Sequence, residues 1–228
     1  MPSTMFRILL ILIAFNLTVS AQDSEQQIST SIRFLAWQKT DTRLTPTLTT
    51  AKGGNVKIEY LSAYDRTSPI KYRGPAKLVF TSDGAIPDEN NTRIIKLNPT
   101  WKNILILVAK DKKHASGLSM TALNDSTDNF PWGSYRIINT TGRALKIKID
   151  KKVVPIANDK KPKTIISNSK EGMINILAAL KESKEPLFGC ISPHSKNTRK
   201  LIILSPSRDK RLGPLAVRII PEKKIGNR

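Results

Sequence analysis

The amino-acid sequence predicts an all-β protein: a β-sandwich, immunoglobulin-like or similar, built as one large domain or two small ones. Short runs rich in Ile, Val, Leu and Thr alternate apolar and polar residues with the two-residue period of half-buried strands. Clusters of Gly, Pro, Asn, Asp and Ser punctuate these runs at roughly ten-residue spacing, as in sandwiches and barrels. The chain has 228 residues, 39% hydrophobic and 25% charged, which is enough apolar surface for a packed core.

The clearest stretch is 130–150, FPWGSYRIINTTGRALKIKID. Pro131-Trp132-Gly133 breaks the preceding segment, 134–138 is β-rich, and Asn139-Thr140-Thr141-Gly142 supplies a turn. Leu145, Ile147 and Ile149 then fall on one side and Lys146 and Lys148 on the other. The spacing predicts a β-hairpin of 134–138 with 145–149.

Taken in order, 22–30 is polar and is expected to be a flexible arm. In 31–37, Ile32, Phe34 and Ala36 share one face and Arg33, Leu35 and Trp37 the other. A Thr-rich stretch at 44–50 leads through Gly53-Gly54 into a strand at 56–61, and 64–69 is loop. Segments 70–73 and 76–81 are expected to pair around Gly74-Pro75. Residues 82–91 form an acidic, turn-rich loop. Segments 92–97 and 104–109 bracket a bend at Asn98-Pro99. Residues 104–108, ILILV, are apolar on both faces and predict a central strand covered on both sides. A strand at 118–123 precedes a polar stretch at 124–129, where a boundary divides an N-terminal unit, 31–125, from a C-terminal one, 126–222.

The second half continues with 135–138, 145–149, 153–156, 164–167, 187–191, 201–204 and 216–220. Segment 173–180 fits one face of a helix, but Gly172, Pro186 and the β-rich neighbourhood favour a strand. The tail 223–228 is basic, and fraying is expected from Glu222 onward. The two halves are alike in style without a visible repeat of residue identities, which suits two related sandwiches or two sheets of one.

Residues 1–21 read as a cleaved export signal: Arg7 in a short leading region, an apolar run at 8–19, and Val19-Ser20-Ala21 before Gln22. The run is short for a bilayer span, which takes about 20 residues, and no later apolar run is longer. The mature chain is therefore expected in the periplasm, the cell envelope or outside the cell, with no transmembrane segment. It retains 37 basic and 18 acidic side chains, a net charge of +19. Such a field favours anionic partners: lipid head groups, acidic wall or capsular polymers, or nucleic acid, although no specific nucleic-acid motif is present. With one cysteine, Cys190, no intramolecular disulfide can form.

Candidates for chemistry are few. Cys190 and His194 could in principle supply a nucleophile and a base, but Pro193 and the strand-like flanks place them about 13 Å apart along an extended chain. With two histidines and one cysteine, no ligand spacing suggests a metal site, and no cofactor is implied. Asp83, Asp88 and Glu89 share one loop, where carboxylates are normally solvated, rather than flanking a cleft as a glycosidase pair does. The Trp and Tyr side chains read mostly as packing. The notable cluster is basic: Lys146, Lys148, Lys151, Lys152, Lys160, Lys161 and Lys163 form one stripe if the strand at 145–149 faces as predicted. Lysines there also protect exposed sheet edges.

Segment 130–136, FPWGSYR, resembles a segment found midway in exported bacterial proteins of unknown function, and the resemblance extends loosely to 31–37 and 215–222. It implies export and a β-rich fold and carries over no functional residue. The expected function is that of a non-catalytic envelope or periplasmic accessory protein that binds an anionic surface or an envelope protein. A pilus-type periplasmic chaperone and a wall-polymer enzyme using Cys190 and His194 are the alternatives.

Overall fold

A computed structural model describes residues 26–50, 53–82, 85–88, 90–207, 209, 211 and 213–224. The expected leader at 1–21 and the last four residues of the tail lie outside these. The first half forms β1 (Gln27–Ala36), one 3-10 turn (Lys39–Arg43), β2 (Pro46–Thr49), β3 (Asn55–Lys57), β4 (Ile70–Pro75), β5 (Lys77–Ser82), β6 (Arg93–Lys96), β7 (Asn103–Lys110) and β8 (Leu118–Asn124). The second half forms β9 (Ser134–Asn139), β10 (Leu145–Ile149), β11 (Lys152–Ile156), β12 (Lys163–Ile166), β13 (Gly172–Leu180), β14 (Pro186–His194), β15 (Thr198–Pro206) and β16 (Leu215–Lys223).

The described strands make four sheets, ordered β3-β2-β5-β6, β4-β1-β7-β8, β12-β9-β15-β16 and β11-β10-β13-β14. They stack in that sequence as four layers, a sandwich packed on a sandwich. The apolar periodicity requires this. On β7, Ile104, Ile106 and Val108 enter the core of the first sandwich, whereas Leu105 and Leu107 face the other way. On β15, Ile202 and Leu204 enter the second core, and Leu201 and Ile203 meet Leu105 and Leu107 in a third cluster between the inner sheets. A strand apolar on both faces is stable only when covered on both, and each inner sheet covers the other.

Every pairing in the first half recurs in the second. β1 pairs antiparallel with β4 and parallel with β7, and β7 antiparallel with β8. β9 pairs in the same senses with β12 and β15, and β15 with β16. The outer sheets match likewise, β2 with β3 and β5, and β5 with β6, against β10 with β11 and β13, and β13 with β14. The chain is an internal duplication at the level of topology. Register extends it to residues: Arg33 lies opposite Leu105 and Leu105 opposite Leu123, while Arg136 lies opposite Leu201 and Leu201 opposite Ile220. Two residues beyond Leu123 and Ile220 stand Asp125 and Glu222.

Several expectations are corrected. β9 and β10 form no hairpin; they belong to different sheets. All six residues of β9 are buried, so the strand sits between β12 and β15, and residues 140–144 arch across to the outer sheet. Gly142 takes φ of 72° there, and the Asn139 amide holds the arch by donating to the Arg143 and Ala157 carbonyls. For the same reason β4 and β5 do not pair across Gly74-Pro75. The arm expected at 22–30 is strand from Gln27 onward, hydrogen-bonded to β4. Glu222 and Lys223 are not frayed but complete β16 opposite Arg199 and Thr198. The strand expected at 56–61 is short, and Tyr60 has a positive φ of 57°. The Thr-rich stretch at 44–50 contains a strand, β2. Segment 173–180 is strand, as predicted.

Candidate functional site: the basic rim of the second sandwich

β10 alternates as its sequence requires. Leu145, Ile147 and Ile149 are buried in the second core, while Lys146 is half-buried and Lys148 exposed on the outer face of the outer sheet. The true hairpin joins β10 to β11 through Asp150-Lys151, with Asp150 at φ 51°. β11 is the edge of its sheet. Lys151 and Lys152 stand exposed at its start, and Lys146 and Lys148 lie beside it, opposite Pro155 and Val153. Lys160 and Lys161 are exposed in the connection that leaves its far end. Lys163 begins β12 in the neighbouring sheet and donates from Nζ to the Pro155 carbonyl at 3.1 Å. The predicted stripe is thus a rim around an edge strand and does not lie along one hairpin.

None of these seven lysines is ion-paired among the described residues. The two acids of the same stretch accept hydrogen bonds from neutral donors: Asp150 from the Ser169 hydroxyl, and Asp159 from the Lys161 backbone N–H. Seven lysines against two carboxylates in 146–163 leave the rim net positive.

A cleft of about 650 Å³ opens where Lys151 and Lys152 meet the loop 167–171. Its floor includes Ile149, Ile165 and Ile174, and Lys170 and the exposed Met173 stand at its lip. β4 and β5, the counterparts of β12 and β13, are joined through Ala76 alone, so the cleft-forming loop belongs to the second half.

Behind the floor lies a polar group that sequence reasoning missed. Lys200, 4% exposed, donates to Ser192 Oγ at 2.6 Å and to the Pro193 carbonyl. The Tyr135 hydroxyl pairs with His194 Nδ1 at 2.9 Å, and the two rings stack. Burial pushes the Lys200 ammonium and the His194 imidazolium below their ordinary ranges, with Lys200 adding to the effect on His194. Tyr135 is pushed up by burial and by Asp150. Tyr135 faces Lys200 across β9 and β15, whereas Ile32 faces Ile104 across β1 and β7. The available signal was one lysine inside the apolar run 200–204.

Cys190 and His194 share the inward face of β14 but no hydrogen bond joins them, and His194 Nδ1 is committed to Tyr135. Burial raises the Cys190 thiol, with Lys200 opposing, so the sulfur is not poised as thiolate. Ser192 is 7% exposed beside Lys200, too enclosed to meet a polymeric substrate. Asp88 is exposed and accepts from the Asn90 and Asn91 backbone N–H groups, while Asp83 and Glu89 lie outside the described residues. Among the described residues no group of three or more His, Cys, Asp or Glu side chains could hold a metal ion, and no helix is long and apolar enough to cross a membrane. Trp37 packs between the inner sheets, Trp101 against the first core, and Trp132 beneath Arg199. No protein-family model matches the chain, and no curated protein matches it.

Proposed function

We propose that the protein is an exported, non-catalytic accessory protein of the bacterial cell envelope that docks onto an anionic surface through the rim around β11. The observation that carries this reading is the placement of Lys146, Lys148, Lys151, Lys152, Lys160, Lys161 and Lys163 around one sheet edge, none of them ion-paired among the described residues. Ammonium groups on flexible stems suit a surface of repeating phosphate or carboxylate groups, where charge density matters more than fixed geometry. Anionic lipid head groups and acidic wall polymers share that chemistry.

The test has two arms. Protein recovered from its native source should begin at or near Gln22 outside the cytoplasm, and the mature chain should be retained by anionic vesicles or wall polymer but not by zwitterionic vesicles. A chain that starts at Met1 in the cytoplasm would overturn export. Equal retention by both kinds of vesicle would overturn anionic docking and leave an envelope protein as the partner to seek.

A further inference from the structure

The outer sheet of the second sandwich buries one face and leaves the other open. Leu145, Ile147, Val154, Ile174 and Ile176 fill the second core, so the residues that alternate with them point away from the protein. Three of these are large and apolar: Val153 on β11 is 55% exposed, Met173 on β13 67% and Ile191 on β14 65%. They share one surface. Val153 stands opposite Lys148, Lys148 opposite Leu177 and Leu177 opposite Gly189, a single row across all four strands. Ile191 follows Gly189 on the same face, and Met173 stands opposite Pro193. A Cβ on Gly189 would meet Leu177 Cδ2 at 2.9 Å, so the Leu177 side chain lies across the glycine and extends the apolar surface toward Ile191.

The duplication supplies a comparison. Leu48 in the first outer sheet holds the place of Ile147 in the second, and the registers around them then match. Val153 takes the place of Asn55 and Ile191 that of Lys96, while Lys146 and Lys148 take those of Thr47 and Thr49. The architecture therefore requires neither exposed apolar residues nor lysines at these positions, and the second half has both on one face. The four strands of this sheet contain no Asp or Glu. The acids at their ends, Asp150, Glu171, Glu182 and Glu185, stand in turns, each next to a lysine in sequence. The open face itself is basic and apolar.

We infer that the outer face of β11-β10-β13-β14 rests on an anionic lipid leaflet, with Val153, Met173 and Ile191 set below the head groups and Lys146 and Lys148 at the phosphates. This rests on the anionic docking proposed above and chooses between its two surfaces. An acidic wall polymer is hydrated throughout and offers no apolar phase to cover the three exposed side chains. A leaflet presents fixed negative charge and, just beneath it, hydrocarbon. Lysine stems are long enough to lie along that boundary while their ammonium groups stay with the phosphates. A protein partner fits less well, because lysine is depleted at the centre of protein interfaces and Lys148 lies in the middle row of this face.

The test is a triple variant, Val153→Thr with Met173→Thr and Ile191→Thr, which keeps the net charge and strand propensity and should melt within a few degrees of wild type. On vesicles of phosphatidylglycerol and phosphatidylcholine it should bind at least about tenfold more weakly than wild type. Its salt dependence should be unchanged, because the lysines remain. Independently, Ile191→Trp in the otherwise wild-type chain should gain tryptophan emission that lipids brominated in their acyl chains quench in the same vesicles. Wild-type affinity in the triple variant, or no added quenching in Ile191→Trp, would overturn the leaflet contact. Retention of the wild type by acidic wall polymer but not by anionic vesicles would also overturn it and leave anionic docking standing. Equal retention by zwitterionic vesicles would overturn both. A wild-type dimer that the triple variant dissolves, seen by sedimentation velocity, would give the face to a second copy and overturn the leaflet as its occupant.

Discussion

Replacing Glu222 by Gln removes one of the two carboxylates, Asp125 and Glu222, that face arginines at the junction of the two sandwiches, while keeping the side chain's size. The Glu222 carboxylate contacts Arg33 at 2.5 Å, Arg199 at 2.7 Å and Arg66 at 3.4 Å, and its side chain is 13% exposed. The substitution leaves Asp125 to balance Arg66, Arg136 and Arg199, and takes from Arg33 its Glu222 partner. Breaking a buried pair by removing one partner costs about 3 to 5 kcal/mol, because the remaining charge stays desolvated. For a chain of this size each kcal/mol lowers the melting temperature by about 2 to 4 °C, so the variant should melt about 6 to 20 °C lower at pH 7. The pH dependence follows from the same contacts. Burial raises the Glu222 pKa, but Arg66, Arg199 and Arg33 outweigh it, and the net shift is downward from the ordinary 4.5. A depressed folded-state pKa gives stability that is fully present above the unfolded value and lost as pH falls through the folded one. The gap between wild type and Glu222→Gln, measured by urea denaturation followed by circular dichroism, should therefore be constant above about pH 6 and close as pH falls below 4.5. A gap under about 1 kcal/mol at pH 7, the size expected of a surface pair, would refute the reasoning. A gap that persists unchanged to pH 3 would do the same.

Two further predictions concern the second sandwich. Ile147 is fully buried at the centre of its core, so Ile147→Asp should lose more than about 4 kcal/mol and give no cooperative melt; a folded Ile147→Asp protein would mean that β10 faces the other way. Cys190 should react slowly with iodoacetamide near neutral pH because burial raises its thiol, and Cys190→Ser should cost about 1 kcal/mol; rapid alkylation would show an activated thiolate and reopen a catalytic role.

What the sequence disclosed and what it concealed divide along a physical line. Alternation at 145–149 and the double-sided apolarity of 104–108 are properties of single strands, and both carried through to the burial of each residue. Partner choice is not such a property. Segments 134–138 and 145–149 look like a hairpin because a polar turn separates them, yet residues 140–144 can either fold back within a sheet or arch between two. What decides is that Tyr135 and Ile137 enter one core while Ile138 enters another, a two-sided burial that two paired edge strands could not supply. The charged junction was concealed for a related reason. Arg33 and Arg136 alternate with apolar residues like solvent-facing side chains, but Leu35 and Trp37 share the face of Arg33, which marked that face as covered. The duplication shows in sequence only as Ser31-Ile32-Arg33 against Ser134-Tyr135-Arg136 and Leu105-Ile106-Leu107-Val108 against Leu201-Ile202-Ile203-Leu204, short matches that gain meaning once register is known. The Ser192–Lys200 contact was likewise invisible, because it joins two strands that share no ladder.

The most direct test of the account is a charge-matched comparison of vesicle binding. One variant changes Lys146, Lys148, Lys151 and Lys152 to Gln; the other changes the exposed Lys71, Lys96, Lys112 and Lys113 of the first sandwich, with the same change in net charge. A lysine near an anionic membrane contributes about 1 kcal/mol, so the rim variant should lose up to about a thousandfold in affinity for anionic vesicles and show a flattened salt dependence. The control variant should stay close to wild type, and both should keep their melting temperatures within a few degrees, as surface substitutions do. Equal losses in the two variants would contradict the account, because binding would then follow net charge and owe nothing to the rim around β11.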